Sequence, residues 1–378
     1  MAKRLASLYV HIPFCDGKCG YCAFYSVPYD VELADRFLAA LEQELTLLVQ
    51  ATGVILAADT VYIGGGTPSV LSAAQLERLC QLLQPFLSVA APLEWTVEMN
   101  PGSVTSEKLA VLVPAGVNRI SLGAQSFDDA VLKALGRRHT GLDIFQSVDL
   151  IRQAGVVNIG LDLIACVPGF DEKVWRDTLE QAVALAPRHV SVYALTEEEG
   201  TRLSRDIYRG ETALLSDEQQ LAALDAAEAV LTAADFQRYE ISNYARPGYE
   251  CRHHGVCWRG GEYLGIGPAA ASHLGLERWT NRPDLSRYLE ALEQSCLPPR
   301  ERDLLTLELK AMERLVFGLR LAEGVGIETT AASEPVLRRL QGDGLVDLRD
   351  QRWVLTPRGR QLADYVAVEL MVGIDSTK

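Results

Sequence analysis

The sequence lacks a long apolar run. Its longest uncharged stretch near the N-terminus, residues 45–58, contains Gln50 and two threonines, and it is shorter than the ~20 apolar residues that a membrane-spanning helix needs. Residues 1–4 carry two positive charges but lead directly into a strand-like segment at 8–12, without the apolar core or small-residue cleavage site of a secretory signal. We therefore expect a cytoplasmic protein with no transmembrane segment.

An excess of positive charge is also absent. Lys and Arg number 36 against 50 Asp and Glu, so the formal net charge is −14 and the isoelectric point is near 5.0. Such an acidic chain disfavours nucleic acid and an anionic membrane surface as partners. Wholesale disorder, collagen-like repeats and a disulfide-dense miniprotein are excluded too, because 48% of the 378 residues are apolar and can bury a sizeable core.

Strand-like segments alternate with amphipathic helical segments through the first half of the chain. We predict strands at 8–12, 60–63, 95–99, 119–123, 158–164 and 190–195, and helices at 31–50, 73–87, 106–113, 142–154 and 172–185. Repeated βα units indicate an α/β fold with a parallel sheet and helices outside, either an open doubly wound sheet or a partial (β/α)6 TIM-like barrel. In a barrel, functional side chains gather at the carboxyl ends of the strands.

The alternation fades after about residue 200. We predict a helix at 217–234, a strand at 238–242, a loop rich in Gly, His and Cys, and a domain boundary at Pro298 and Pro299. Beyond the boundary, helices at 308–321, 334–343 and 358–370 and a hairpin formed by 345–348 and 353–355 are typical of a small α+β winged-helix-like domain. Three parts are therefore expected: a barrel at 1–200, an extension at 201–297 and a C-terminal cap at 298–378.

The strongest signal is a C-x3-C-x2-C run formed by Cys15, Cys19 and Cys22, directly after the first predicted strand. In an intracellular chain such a tight cysteine cluster indicates metal binding or catalysis rather than disulfides. Structural zinc sites and ferredoxin-type clusters need a fourth protein ligand, and none follows at a familiar spacing. Three thiolates on one loop instead suit a [4Fe–4S] cluster with one iron open to an exogenous ligand; zinc and free structural thiols are the alternatives.

This cysteine loop resembles that of the radical S-adenosylmethionine (SAM) superfamily, in which the open iron binds SAM through its amino and carboxylate groups. The residues ahead of it, Y-V-H-I-P-F-C from Tyr9 to Cys15, resemble the oxygen-independent coproporphyrinogen III oxidase subgroup, and the similarity continues along nearly the whole chain. The resemblance implies a [4Fe–4S] cluster and SAM as cofactors, and reductive cleavage of SAM by an electron from the cluster. The residues do not decide whether this chain turns SAM over, or which electron donor it uses.

By the same resemblance, a set of residues on successive strands is expected to hold SAM. Glycines let the backbone approach a ligand closely, an arginine suits the SAM carboxylate, and acidic or amide groups suit its ribose hydroxyls and sulfonium. The expected set is Tyr9, Gly65, Gly66, Thr67, Glu98, Gln125, Arg137 and Asp162. Taken singly, a glycine run is also typical of a turn, and each polar residue is also typical of a surface or polar core position.

Two functions fit this subgroup: decarboxylation of coproporphyrinogen III, and haem carriage by a related chaperone family. The oxidase pattern has a further cysteine where this chain has Phe24. The chaperone pattern H-N-x-x-Y-W supplies an imidazole to haem iron beside aromatic rings, and residues 253–258 read H-H-G-V-C-W. The resemblance therefore implies a haem chaperone that uses His253 as the haem ligand and passes haem to an acceptor apoprotein.

Three residues depart from the chaperone pattern. His254 replaces its Asn, Cys257 replaces its Tyr, and Ala271 stands where the family often has His. Imidazole and thiolate both bind haem iron, so His254 and Cys257 are themselves candidate ligands. The oxidase and another radical SAM reaction, such as methyl transfer, stay as alternatives, whereas a winged-helix regulator is disfavoured because its tail lacks a basic recognition helix. The acceptor, a homodimer and a peripheral membrane contact are left open.

Overall fold

A nine-stranded sheet surrounded by helices forms the larger part of the chain. The computed structural model describes residues 4–88 and 93–375. Its strands are β1 (Arg4–Ile12), β2 (Phe14–Cys15), β3 (Val27–Pro28), β4 (Ile55–Gly65), β5 (Glu94–Met99), β6 (Arg119–Gln125), β7 (Asn158–Ala165), β8 (His189–Ala194), β9 (Gln237–Arg238), β10 (Asn243–Ala245), β11 (Leu264–Ile266), β12 (Ala271–Leu274), β13 (Glu277–Asn281), β14 (Arg300–Leu304), β15 (Val325–Gly326), β16 (Val346–Arg349) and β17 (Arg352–Leu355).

Helices cover this sheet and build the C-terminal unit. They are α1 (Val31–Thr52), α2 (Ala73–Leu83), α3 (Ser106–Ala115), α4 (Asp129–Leu135), α5 (Gly141–Gln153), α6 (Glu172–Ala184), α7 (Arg202–Tyr208), α8 (Asp217–Ala233), α9 (Arg252–Trp258), α10 (Leu285–Glu293), α11 (Leu307–Gly318), α12 (Glu334–Gly342), α13 (Pro357–Gln361) and α14 (Ala363–Asp375). None of the helices in the described part of the chain combines the length and apolar composition of a bilayer-spanning segment.

The main sheet has the order β11-β1-β4-β5-β6-β7-β8-β10-β9. Its strands from β11 to β8 are parallel, and β10 and β9 add two antiparallel pairings at one edge. Leu8 on β1 lies opposite Val61 on β4 and opposite Leu264 on β11, and all three side chains are fully buried. Parallel strands covered by helices are mostly apolar, as the sequence pattern indicates. The predicted α/β partial barrel is therefore confirmed.

Local signals place most helix ends correctly. Helix α1 begins after Asp30, whose side chain accepts a hydrogen bond from the backbone N–H of Leu33, and ends at Gly53 in the left-handed region (φ +64°). The predicted helix at 73–87 is too long, since α2 ends at Leu83 and a 3-10 turn follows. Pro85 lies in that turn and has no backbone N–H to continue an α-helix.

Two predictions between residues 238 and 258 are wrong. Of the predicted strand at 238–242, only Arg238 lies in a strand. The rest connects β9 to β10, and the Glu240 carboxylate there accepts a 2.8 Å hydrogen bond from the backbone N–H of Ser242. The predicted loop around 253–258 contains helix α9. Glu94, at the start of β5, accepts 3.0 Å hydrogen bonds from the backbone N–H groups of Arg252 and His253, and so supplies acceptors to the first turn of α9. This partner is distant in sequence, so local pattern cannot reveal it.

The C-terminal unit has its own core, which includes Leu340 and Trp353, and a small sheet of order β15-β17-β16. Its predicted final helix is divided into α13 and α14 at Leu362. It packs on α9: the Arg320 guanidinium lies 4.7 Å from the ring centroid of Trp258, and the Phe317 ring centroid is at 6.2 Å. Strand β14, which follows residue 298, pairs with β13, which precedes it. The domain boundary at 298 stays a prediction.

Candidate functional site

One large cavity opens at the carboxyl ends of the parallel strands. Its volume is about 1130 Å³, and it receives side chains from the cysteine loop, from the ends of β4 to β8 and from the C-terminal unit. Ten of the twelve residues predicted to bind a cofactor or haem line it: Cys15, Cys19, Cys22, Gly65, Gly66, Thr67, Glu98, Gln125, Arg137 and Asp162. This is the position at which barrel folds carry their functional sites.

The three cysteines form one wall of this cavity. The Sγ atom of Cys15 lies 3.4 Å from Thr67 Oγ1, and Nη1 of Arg137 donates to Cys19 Sγ at 3.5 Å. Burial raises the pKa of the Cys22 thiol. Within residues 4–88 and 93–375 no three His, Cys, Asp or Glu side chains stand at metal-binding spacing, so the thiols have to converge to bind a cluster. An all-sulfur donor set on one loop, facing open volume, fits an iron–sulfur cluster with one uncoordinated iron.

The glycine run holds the cysteine loop against β4. Gly65 has φ +106°, and a Cβ there would lie 2.6 Å from the His11 ring. A Cβ on Gly66 would lie 2.5 Å from the carbonyl oxygen of Phe14, next to the first cysteine. The backbone N–H of Thr67 donates to that same carbonyl at 2.7 Å. These glycines are therefore required for close packing of the loop as well as for an open cavity wall.

Two carboxyl groups lie on the cavity wall between β4 and β8. Glu98 accepts hydrogen bonds from the Tyr62 hydroxyl at 2.8 Å and from the Gly65 N–H at 3.2 Å. Burial raises the pKa of Glu98 to about 7, against the opposing effect of the Tyr62 hydrogen bond. Asp162 accepts from Ser191 Oγ at 2.7 Å and from Ser121 Oγ at 3.2 Å, and burial raises its pKa as well. The site thus holds one carboxyl group that titrates near neutral pH.

Gln125 and Arg137 complete the polar wall. Gln125 has φ +66° and follows a register shift between β6 and β7, an irregularity of the kind that turns a side chain away from the regular pleat. Nη2 of Arg137 donates to Asn100 Oδ1 at 2.7 Å and to the carbonyl oxygen of Gly123 at 2.8 Å. These bonds fix the guanidinium beside Cys19, where it can meet a carboxylate next to the cluster.

We expect SAM affinity to rise by about tenfold between pH 6 and pH 8, because Glu98 ionises near pH 7 and its carboxylate favours a sulfonium and ribose hydroxyls. In Glu98→Gln this part of the rise should be absent. Equilibrium dialysis of SAM against both cluster-loaded proteins measures the difference in affinity. The SAM amino group also titrates, but it affects both proteins equally. Identical pH profiles would show that Glu98 is not responsible.

Two predicted residues are set back from the cavity. The Tyr9 hydroxyl lies 3.1 Å from Nδ1 of His11, and its ring packs beside Tyr62 and His253. His253 is only 4% exposed, and its Nδ1 lies 3.1 Å from Oγ1 of Thr60. Burial lowers the pKa of His253 to about 3. Among the described residues that line the cavity, neither Tyr9 nor His253 is present, so their ligand roles stay predictions.

Sequence reasoning missed several residues of the cavity wall. Those from the barrel lie on a predicted strand or, for Asn100, directly after one, which is the one signal that could have found them: Tyr62, Asn100, Ser121, Ser191 and Tyr193. A second group comes from beyond the barrel strands and carries no local signal: Arg238, Arg320, Arg360, Leu362 and Tyr365. His254, noted only as a departure from a pattern, also lines the cavity, whereas Cys257 and Ala271 do not contribute to its described lining.

Comparison with known proteins supports these observations over most of the chain. Residues 9–182 match the radical SAM superfamily and residues 305–362 match the HemN C-terminal domain. The chain is 36% identical to the heme chaperone HemW of Mycobacterium tuberculosis over 370 residues, which covers 96% of this chain and 94% of that protein. It is 33% identical to HemW of Bacillus subtilis over 372 residues, with 96% and 98% covered.

A solved structure shares the architecture. Coproporphyrinogen III oxidase (HemN) from Escherichia coli, described as a radical SAM enzyme, superposes with a TM-score of 0.83 at 26% identity, over 97% of this chain and 90% of that one. The matches thus extend over both the barrel and the C-terminal unit. Together with the cysteine loop on the cavity wall, they show that the chain belongs to the radical SAM superfamily and, within it, to the HemW family.

Proposed function

We propose that this chain is a cytoplasmic haem chaperone that holds a [4Fe–4S] cluster and SAM, binds haem and passes it to an acceptor apoprotein. The observation that carries the proposal is similarity to HemW proteins over 96% of the chain. Phe24 supports it against the oxidase, because it lines the cavity at the position where the oxidase pattern has a further cysteine.

The cofactors would share the inner part of the cavity. Cys15, Cys19 and Cys22 would hold the cluster, and Arg137 would bind the SAM carboxylate beside it. When bound, the cluster and SAM supply one-electron chemistry. The chain itself contributes position and charge: Arg137 is fixed by its bonds to Asn100 and Gly123, and the Glu98 carboxyl is held by Tyr62.

The exposed aromatic residues and the arginines of the cavity wall suit a porphyrin. Phe24 and Tyr365 are exposed by 69% and 50%, and both line it. Arg320 and Arg360 reach it from the C-terminal unit. Haem is a flat apolar ring that carries two propionate groups, so aromatic faces with arginines nearby are the residue types that would recognise it. Coproporphyrinogen also carries propionate groups that arginines would bind, and the structural likeness to HemN keeps the oxidase as the second candidate.

An anaerobic haem titration into the cluster-loaded protein tests the proposal. We expect saturable binding of about one haem per chain, followed by the Soret absorption, and Phe24→Ala should weaken it by about threefold to tenfold through loss of an aromatic contact. Leu142→Ala is the matched control, because Leu142 is also an exposed apolar residue but does not belong to the described cavity lining. Absence of saturable binding would contradict the chaperone, and turnover of coproporphyrinogen III would then support the oxidase.

A further inference from the structure

Helix α9 places two neighbouring histidines in different surroundings. Successive residues of an α-helix point about 100° apart, so His253 and His254 cannot face the same space. The His253 side chain faces β1 and β4, whereas His254 faces the cavity. The two imidazoles that the sequence offers for haem iron are therefore not equivalent.

His253 is used to hold α9 on the sheet. Its backbone N–H donates to the Glu94 carboxylate at 3.0 Å, and its Nδ1 is 3.1 Å from Oγ1 of Thr60. Its ring centroid lies 5.4 Å from that of Tyr62 and 6.5 Å from that of Tyr9. An iron approaching this imidazole from the cavity would have to displace packed side chains.

His254 has open volume in front of it. Its ring centroid lies 5.0 Å from that of Tyr62, which supports one side, and it shares the cavity wall with Glu98 and Asp162. Polar groups surround it, Arg119 and Glu98 among them. Burial lowers the pKa of His254, so the imidazole is neutral at neutral pH and keeps a lone pair for a metal.

We infer that His254, rather than His253, is the protein ligand to haem iron in this chain. The inference rests on the proposed function and deepens it. The chaperone pattern has Asn at this position, so a ligand at His254 would be a property of this chain. Neutral imidazole is a common axial ligand of haem iron. The same cavity is lined by Arg320, which pairs with Asp364 at 3.9 Å, and by Arg360, which pairs with Glu228 at 3.0 Å, and both would exchange these carboxylates for the propionates.

Haem titration of three proteins tests the assignment: the native chain, His254→Asn and His253→Asn, each loaded with cluster. We expect His254→Asn to lose at least about tenfold in haem affinity and to show a shifted Soret band. Loss of a group that only supports a metal ligand already lowers affinity by about tenfold or more, and loss of the ligand itself should cost no less. His253→Asn should keep the native band position and bind within about threefold. The reverse pattern, or an unchanged His254→Asn, would overturn the assignment.

His253 is buried, so weaker haem binding by His253→Asn can result from a loss of structure as well as from the loss of a ligand. A second measurement therefore uses His254→Gly, with cluster content and circular dichroism as checks of folding. Free imidazole added to this variant should restore the native Soret band, since it can enter the space that the side chain leaves. If His254→Gly folds but imidazole does not restore its native Soret band, the assignment of His254 is wrong and the proposed function stands. If the native chain never binds haem saturably, both the assignment and the proposed function are wrong.

Discussion

Replacing Cys15 by alanine is expected to abolish cluster binding, with iron falling from about four atoms per chain to less than one after anaerobic reconstitution. Three thiolates are the fewest that leave a single open iron on a [4Fe–4S] cluster, so removal of one leaves two irons without a protein ligand. No substitute is at hand among the described cavity residues, because Cys80, Cys166 and Cys251 are buried in the core. Iron and sulfide analysis, together with the visible absorption spectrum, measures the loss.

Cys296→Ser is the matched control for this experiment. Cys296 is an exposed free thiol after α10 and does not belong to the described cavity lining. Its loss should leave iron content unchanged, which separates loss of a ligand from a general effect of having one thiol fewer. Full iron and a native spectrum in Cys15→Ala would exclude the C-x3-C-x2-C loop as the cluster site.

Replacing Glu44 by alanine is expected to lower the free energy of unfolding by about 3–5 kcal/mol. Glu44 lies on α1 and is fully buried. Its carboxylate accepts hydrogen bonds from the backbone N–H of Gly267 at 2.7 Å, from Nδ2 of Asn281 at 2.6 Å and from the Tyr288 hydroxyl at 2.6 Å. Alanine would leave three buried donors without this acceptor, and it would remove the polar contacts of α1 with the segments around β11, β13 and α10.

Urea unfolding followed by circular dichroism measures this change. Glu42→Ala is the matched control, because Glu42 lies on the same helix with its side chain exposed, and such a surface change should alter the free energy of unfolding by less than about 0.5 kcal/mol. Equal midpoints for the two variants would show that the buried carboxylate does not stabilise the fold.

The parts of the structure that local physics controls could be predicted from the sequence. Six of the seven parallel strands, all but the short β11, are mostly apolar runs between capped helices, and the cysteine loop follows the first of them, so the fold and the place of this loop are evident in the pattern. Helix α9 could not be predicted, because the group that accepts its first N–H bonds is Glu94, far away in sequence. The different surroundings of His253 and His254 could not be predicted either, since contacts with Thr60 and Tyr62 determine which imidazole lines the cavity.

The pairing of β1 has a consequence for folding during synthesis. Leu8 pairs with Val61 on one side and with Leu264 on the other, so one edge of β1 has no partner until residue 264 has left the ribosome. Helix α9, which contributes His254 to the cavity wall, also comes late. An unpaired strand edge is prone to wrong pairing, and a contact between such distant residues forms slowly. A nascent chain that already exposes the cysteine loop is therefore most vulnerable to aggregation before β11 pairs with β1.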